Sequence, residues 1–381
     1  MGSPQLGPEH DVLWGRRLRL VIQGAELAVL GVFPVLLTVF QLHSLAAQHV
    51  LAVDYSQGPW VAGHRLFAGL SPYIGAHSAQ VGGIAFVYPA VAALALAPFS
   101  LLPREVAGGA FTLLDIAAIL ITLRVLAVRD WRVYGACLLW PAVLSGWETA
   151  NVTLLLALGI AVMWRWRDSP LVTGALIALL ISIKLFVWPL GLWLIATRRY
   201  RAFGYAVAAG LVMNLLAWGV LGFDQITRYR ELIGALAGAQ QGRNYSVIAL
   251  LVNGGVQPTL ASALTAGLAV LCAGACLVAG RRLGNHAAFA LSVATCLVVT
   301  PISWLHYFAL LAVPLAIGRP RLSLLWLVPV VLDYPTVGPD ATEILVMFGV
   351  AAAICLVATR PAGERARRAP PSRARAIATT G

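Results

Sequence analysis

Residues 18–42 read LRLVIQGAELAVLGVFPVLLTVFQL, with Arg16, Arg17 and Arg19 at their head. About 20 apolar residues in a helix cross a bilayer's hydrocarbon. The stretch is therefore a first membrane span, entered from the basic side. It is too long for a signal-peptide core and ends in no small-residue cleavage site, so it is expected to remain as an anchor. Comparable apolar stretches recur almost to Val357, and the 381-residue chain is 60% hydrophobic and 11% charged, against about 25% charged residues in soluble domains. This composition describes an all-α polytopic membrane protein and excludes a soluble enzyme, a disordered chain and a disulfide scaffold. The five cysteines all fall inside apolar segments, where they read as small core residues.

The net charge of +12 reports topology rather than nucleic-acid binding. Basic clusters at Arg16–Arg19, Arg124–Arg132, Arg165–Arg167, Arg198–Arg201, Arg281–Arg282, Arg319–Arg321 and the tail from Arg360 hold most of the 27 Lys and Arg. Assigned to the cytoplasm, they require an even number of crossings between neighbours. Twelve spans satisfy this, at 18–42, 105–125, 133–147, 149–165, 170–184, 185–197, 202–222, 259–280, 286–300, 303–318, 322–334 and 341–358. The leftover stretch Phe86 to Leu102, with Pro89, Pro98 and Pro103, reads as a bent interfacial segment, because proline interrupts a straight helix. The expected organisation is a cytoplasmic segment 1–17, a transmembrane domain 18–359 and a disordered basic cytoplasmic tail 360–381. External loops at 43–104 and 223–258 carry short juxtamembrane helices.

Few residues are equipped for chemistry. Asp54, in Leu-Ala-Val-Asp54-Tyr55-Ser56 just beyond the first span, stands where apolar helix meets water and can serve as a general base; an N-cap or loop role is the alternative. Lys184 is the only lysine and lies inside an apolar stretch, where an unpaired cation costs on the order of 3 kcal/mol. An anionic substrate group or a structural carboxylate would offset that cost. His306 ends a span beside Trp304, and Arg243 closes the second external loop, where a guanidinium offers a fork to phosphate oxygens. His64 lies on a short helix after Asp54. Glu26 and Asp115 are intramembrane carboxylates and, with no evident cation at their depth except Lys184, the best argument for a rival class: a proton-coupled transporter or flippase. The sequence calls for no metal or other cofactor.

Asp54-Tyr55, Gly69-Leu70-Ser71-Pro72-Tyr73 and Tyr88-Pro89 follow one another in the first external loop. Asn151, Lys184-Leu-Phe-Val-Trp-Pro189, Arg198-Arg199-Tyr200-Arg201 and Pro301-Ile302-Ser303-Trp304-Leu305-His306 follow them in order. In this order the motifs resemble glycosyltransferase family 87, multi-pass plasma-membrane enzymes of the GT-C superfamily that include polyprenyl-phosphate-mannose-dependent mannosyltransferases. The resemblance implies a GT-C fold and an inverting transfer of a sugar, mannose first, from a polyprenyl-phosphate donor to a glycolipid or cell-envelope glycan at the outer face. It implies Asp54 as the catalytic base. Lys184, His306 and Arg243 are the candidates for the donor phosphate, and Tyr55, His64, Tyr73, Tyr88, Glu148, Asn151 and Trp304 for the substrates. Two departures stand out: Glu148-Thr149-Ala150 precedes Asn151 where the family often has Gly-Gln, and Tyr307 follows His306 where it often has a second histidine. A scaffold that has lost catalysis is compatible with both.

Overall fold

The computed structural model describes residues 8–75, 85–240, 242–331 and 339–358, with side chains from Arg17 onward. Among the described residues every regular element is helical. Five helices are long and apolar enough to cross a membrane: Arg17–Ala47, Arg104–Val125, Tyr200–Leu221, Pro258–Arg282 and Ala341–Ala358. A sixth crossing is available from Pro141–Thr149 and Thr153–Arg165, which meet at a bend of 115°. The other expected spans correspond to shorter apolar helices, among them Pro170–Ile183, Leu185–Ala196, Asn285–Val299 and Leu305–Gly318.

The chain begins with α1 (Pro8–Leu27), a π-helical turn (Ala28–Val32) and α2 (Phe33–Ala47). The first span therefore extends beyond 42, and the segment expected as a cytoplasmic end at 1–17 is helical from Pro8; residues 1–7 lie outside the described residues. The rod's apolar side chains, Leu20, Phe33, Leu36 and Phe40 among them, are exposed, as a surface facing lipid requires. The π turn lies where the later helix Trp131–Leu138 crosses it. Gly135, on that helix, approaches Leu30 so closely that an added Cβ would clash with the Leu30 carbonyl oxygen.

After α2 come α3 (Val53–Gln57), α4 (Pro59–Phe67) and α5 (Ala90–Leu96), the last continued by a 3-10 turn (Ala97–Leu101). The Ala90–Leu101 segment spans about 20 Å at the usual helical rises, short of the ~30 Å hydrocarbon core. Its buried alanines Ala90, Ala92 and Ala93 pack it against protein, with α4 and two later helices as neighbours. The chain continues through α6 (Arg104–Val125), α7 (Trp131–Leu138), α8 (Pro141–Thr149), α9 (Thr153–Arg165), α10 (Pro170–Ile183), α11 (Leu190–Ala196) and α12 (Tyr200–Leu221). The span expected over 133–147 is two short helices, broken where Trp140 turns extended before Pro141, a residue before proline being steered out of the helical region.

α13 (Gln225–Ala239) and α14 (Val247–Asn253) lie in the stretch expected as the second external loop, and α15 (Pro258–Arg282), α16 (Asn285–Val299), α17 (Ala312–Gly318), α18 (Leu324–Leu327) and α19 (Ala341–Ala358) complete the described helices. Residues 332–338, from the expected span 322–334, and the expected tail 360–381 lie outside the described residues. Two apolar cores result. The larger contains Trp140, Trp147, Trp164, Trp193 and Trp326; the smaller, under the first external loop, contains Tyr55, Tyr73, Phe86, Tyr88 and Phe111.

Candidate active site

Three interrupted helices and the short helix α3 build the site. Irregular backbone at membrane depth is tolerated where protein buries it or a cavity takes it up. The first corner lies between α8 and α9, where Ala150 adopts a left-handed conformation (φ 53°). Asn151 N–H returns to the Gly146 carbonyl at 2.9 Å, closing the helix end and leaving the Asn151 side chain at the apex. The second is Lys184, extended (φ −147°, ψ 107°) between α10 and a 3-10 turn, with Pro189 preventing the helix from continuing. The third is Thr300, extended before Pro301 for the same reason as Trp140, and followed by the 3-10 helix Leu305–Leu311.

Specific polar contacts hold these corners together. Ala52 N–H donates to the Glu148 carbonyl at 2.7 Å, seating α3 on the end of α8. Asn244, 2% exposed, accepts from the backbone N–H groups of Ser246 and Ser303 at 2.8 and 3.2 Å, and Tyr245 N–H donates to the Ser303 carbonyl at 2.6 Å. The loop between α13 and α14 is thereby fastened to the third corner.

At the junction, Asn151 Nδ2 donates to Asp54 Oδ2 at 3.1 Å. Lys184 Nζ donates to Asn151 Oδ1 at 2.9 Å and to Thr153 Oγ1 at 3.2 Å, and the Thr153 hydroxyl itself donates to Asn151 Oδ1 at 2.8 Å. The Lys184 ammonium also lies 4.1 Å from the centre of the Tyr307 ring, which is stacked on Phe186 at 4.4 Å. Lys184 is thus neither unpaired nor bound directly to a carboxylate; an amide, a hydroxyl and an aromatic face receive it. Burial raises the Asp54 carboxyl above its ordinary pKa, opposed by hydrogen bonds from Asn151 and Thr149 and by the Lys184 charge. Such a carboxylate binds a proton more readily than a solvated one.

Asp54, Tyr88, Asn151, Lys184, Arg243, Trp304 and His306 all line one cavity of about 770 Å³. His306 is 3% exposed, and its buried Nε2 has no hydrogen-bond partner. Arg243 is exposed. Four candidate residues stand outside the cavity wall. Tyr55 is fully buried against Phe111. His64 is stacked on Trp60 at 3.9 Å. Tyr73 packs on Trp218 and Tyr229 and donates to the Tyr88 carbonyl. Glu148 contributes its backbone carbonyl to the Ala52 contact. Residues that the sequence did not point to also take part. Thr153 lies two positions after Asn151, the spacing of a local polar turn. Tyr229 and Tyr245 line the cavity from the second loop, where no spacing signal marked them.

Of the two intramembrane acids, Glu26 has the cation that the sequence did not reveal, Arg132, at 2.8 Å and at a half-exposed position. Asp115 is fully buried, with neither carboxylate oxygen hydrogen-bonded, and it lies off the cavity wall. Neither acid lines this cavity. Among the described residues no cluster of His, Cys, Asp and Glu suits a metal ion.

No curated protein and no solved structure matches the chain. The sequence model of glycosyltransferase family 87 matches residues 86–314, a range that contains every cavity residue named above except Asp54, which Asn151 ties to it. With that match over more than half its length, this helical membrane protein belongs to glycosyltransferase family 87.

Proposed function

We propose that the protein transfers a sugar, mannose first among the candidates, from a polyprenyl phosphate to a lipid-linked or cell-envelope glycan, with inversion, at the outer face of the plasma membrane. The observation carrying this reading is the Asp54–Asn151 contact. It holds a carboxylate of raised proton affinity at the wall of the cavity that Lys184, His306 and Arg243 also line. In the reaction, the acceptor hydroxyl passes its proton to Asp54 as its oxygen bonds to the anomeric carbon. The bond from that carbon to the phosphate oxygen breaks, and the phosphate leaves with the electron pair. His306 and the Arg243 guanidinium, both on the cavity wall, are the groups proposed to donate to phosphate oxygens, and Lys184 adds positive charge.

A lipid-linked donor is favoured by the cavity wall itself. Leu185 and Trp188 line it and are nevertheless 51% and 44% exposed, so one side of the cavity opens through an apolar surface, suited to a polyprenyl chain. Twelve crossings with both termini cytoplasmic would set this opening in the outer leaflet.

The test uses membranes containing the protein or its Asp54→Asn variant, incubated with radiolabelled polyprenyl-phosphate mannose or polyprenyl-phosphate arabinose. Label entering a glycolipid or glycan with the wild type and not with the variant supports the reading, and the donor used names the sugar. Equal incorporation by both proteins would refute the role of Asp54.

A further inference from the structure

The carboxylate proposed as base is held by the Asn151 amide, with Thr149 as a lesser partner, and that amide is itself held from behind. An asparagine side chain can present either its N–H or its oxygen to a neighbour. Asn151 Oδ1 receives three donors, Lys184 Nζ, the Thr153 hydroxyl and the Thr153 N–H, at 2.9, 2.8 and 3.3 Å. Turning the amide over would lose all three and set its oxygen against Asp54. Only the N–H can therefore face the carboxylate, where it meets Oδ2. That contact occupies one carboxylate oxygen and leaves Oδ1 as the one to receive a substrate proton. Thr153 is fully buried and Asn151 5% exposed, so water competes little for these contacts.

We propose that Asn151 is the positioning residue for Asp54 and that Thr153, with Lys184, acts on Asp54 through it by fixing the amide's orientation. The proposal rests on the reading of Asp54 as the base. It assigns Asn151 to the carboxylate rather than to the sugar, and it gives the buried hydroxyl of Thr153 a part in the reaction although Thr153 lies off the cavity wall. The amide also stands between ammonium and carboxylate. Among the described residues Asp54 and Lys184 form no direct ion pair, which would otherwise suppress the basicity that transfer needs.

The test reads the protonation of Asp54 directly and needs no knowledge of donor or acceptor. Dicyclohexylcarbodiimide, an apolar reagent for protonated carboxyl groups, is applied to the purified full-length protein across a pH series. Modification at Asp54 is followed by peptide mass spectrometry, with Asp54→Asn as the blank. Other titratable groups on the elements around it are Tyr88, Asp115, Glu148, Lys184, His306 and Tyr307, all unchanged in the variants compared. Asn151→Ala removes a hydrogen bond to the charged form, so the pH at half-labelling rises by about one to two pH units, the equivalent of 1.5–3 kcal/mol. Thr153→Val keeps shape and charge but removes the hydroxyl. It moves the midpoint in the same direction in the wild-type background and leaves it unmoved in the Asn151→Ala background.

An unchanged midpoint in Asn151→Ala overturns the proposal, as does an equal effect of Thr153→Val in both backgrounds. Thr153→Val also serves alone if Asn151→Ala does not fold. With whichever labelled donor the wild type uses, Asn151→Ala lowers kcat and leaves the donor KM unmoved; a raised KM with an unmoved midpoint would make Asn151 a substrate contact instead. Transfer surviving in Asp54→Asn removes the base reading alone, since the labelling midpoint still reports the link between Asn151 and Asp54.

Discussion

Asn151 and Asp54, 97 positions apart in the chain, meet through a 3.1 Å hydrogen bond from the amide nitrogen to one carboxylate oxygen. The bond joins α3 to the corner between α8 and α9. It places the candidate base beside residues of the family-matched region.

Replacing that base is the most direct probe. Asp54→Asn keeps the size and the contact with Asn151 but cannot take up the acceptor's proton, and loss of a general base costs about 10²–10⁴-fold. Turnover should fall by that factor while polyprenyl-phosphate binding, measured on purified protein, stays within twofold or so of wild type. Near-normal transfer would end the assignment.

The pH profile follows from the burial of Asp54. A base acts unprotonated, and this carboxyl's pKa is raised, first by burial. Activity should therefore increase with pH through the raised value and disappear as pH falls through it, with the acid limb above the ordinary carboxylate range near ~4. An acid limb at or below that range, in a kcat profile from purified enzyme, would show that burial does not govern the base.

His306 lines the cavity and keeps a buried ring nitrogen, Nε2, without a hydrogen-bond partner. Its replacement by alanine should weaken binding of polyprenyl-phosphate mannose about 10–150-fold, the worth of one hydrogen bond to a charged group. Thermal stability should change little. Unaltered donor affinity, read by isothermal titration, would leave the phosphate to Arg243 and Lys184.

Two structural contacts make separate predictions for stability. Gly135→Ala puts a Cβ against the Leu30 carbonyl; overpacking of this kind costs about 1–3 kcal/mol and more where backbone blocks it, so the variant should melt early in detergent. Gly234→Ala, whose Cβ meets nothing within 4 Å, is the control.

Asp130 accepts from Arg132 Nε and Nη2 and from the backbone N–H of Leu322, each at 3.0 Å, and these contacts with Arg132 hold its pKa below the usual value. A depressed carboxyl pKa contributes stability above the unfolded value near ~3.9 and loses it as pH falls through the folded one. Asp130→Asn should therefore cost about 1–3 kcal/mol near neutrality, and its melting difference from wild type should shrink below about pH 4. A difference that persists in acid would mean that the charge is not what holds α7 to the 319–322 turn.

The expected topology is tested by labelling. In a background without native cysteines, single cysteines near Ser78 and near Arg104 should both react with an impermeant thiol reagent added outside, because the proline-bent segment Phe86 to Leu102 is expected to lie at the interface. Reaction at only one would make that segment a crossing. Ser78 itself lies outside the described residues.

The sequence alone determined that the chain is helical and membrane-embedded, because apolar runs such as 105–125, 202–222 and 259–280 are local properties and helices are the economical way to satisfy backbone groups in lipid. Local too is proline's effect on its immediate predecessor, although the expected span 133–147 ran through Trp140 and Pro141. Asp54, Lys184 and His306 stood out for the same local reason: each is a polar group in apolar surroundings. What those residues touch was decided by tertiary structure. Nothing local says that Asn151 lies between Asp54 and Lys184, that Arg132 meets Glu26 across 106 positions, or that Tyr55 and Tyr73 are packing rather than lining groups. Those contacts depend on how the interrupted helices turn and on close approaches such as Gly135 to Leu30. Hydrogen bonds a few ångströms long are formed only after packing has fixed the backbones that carry them.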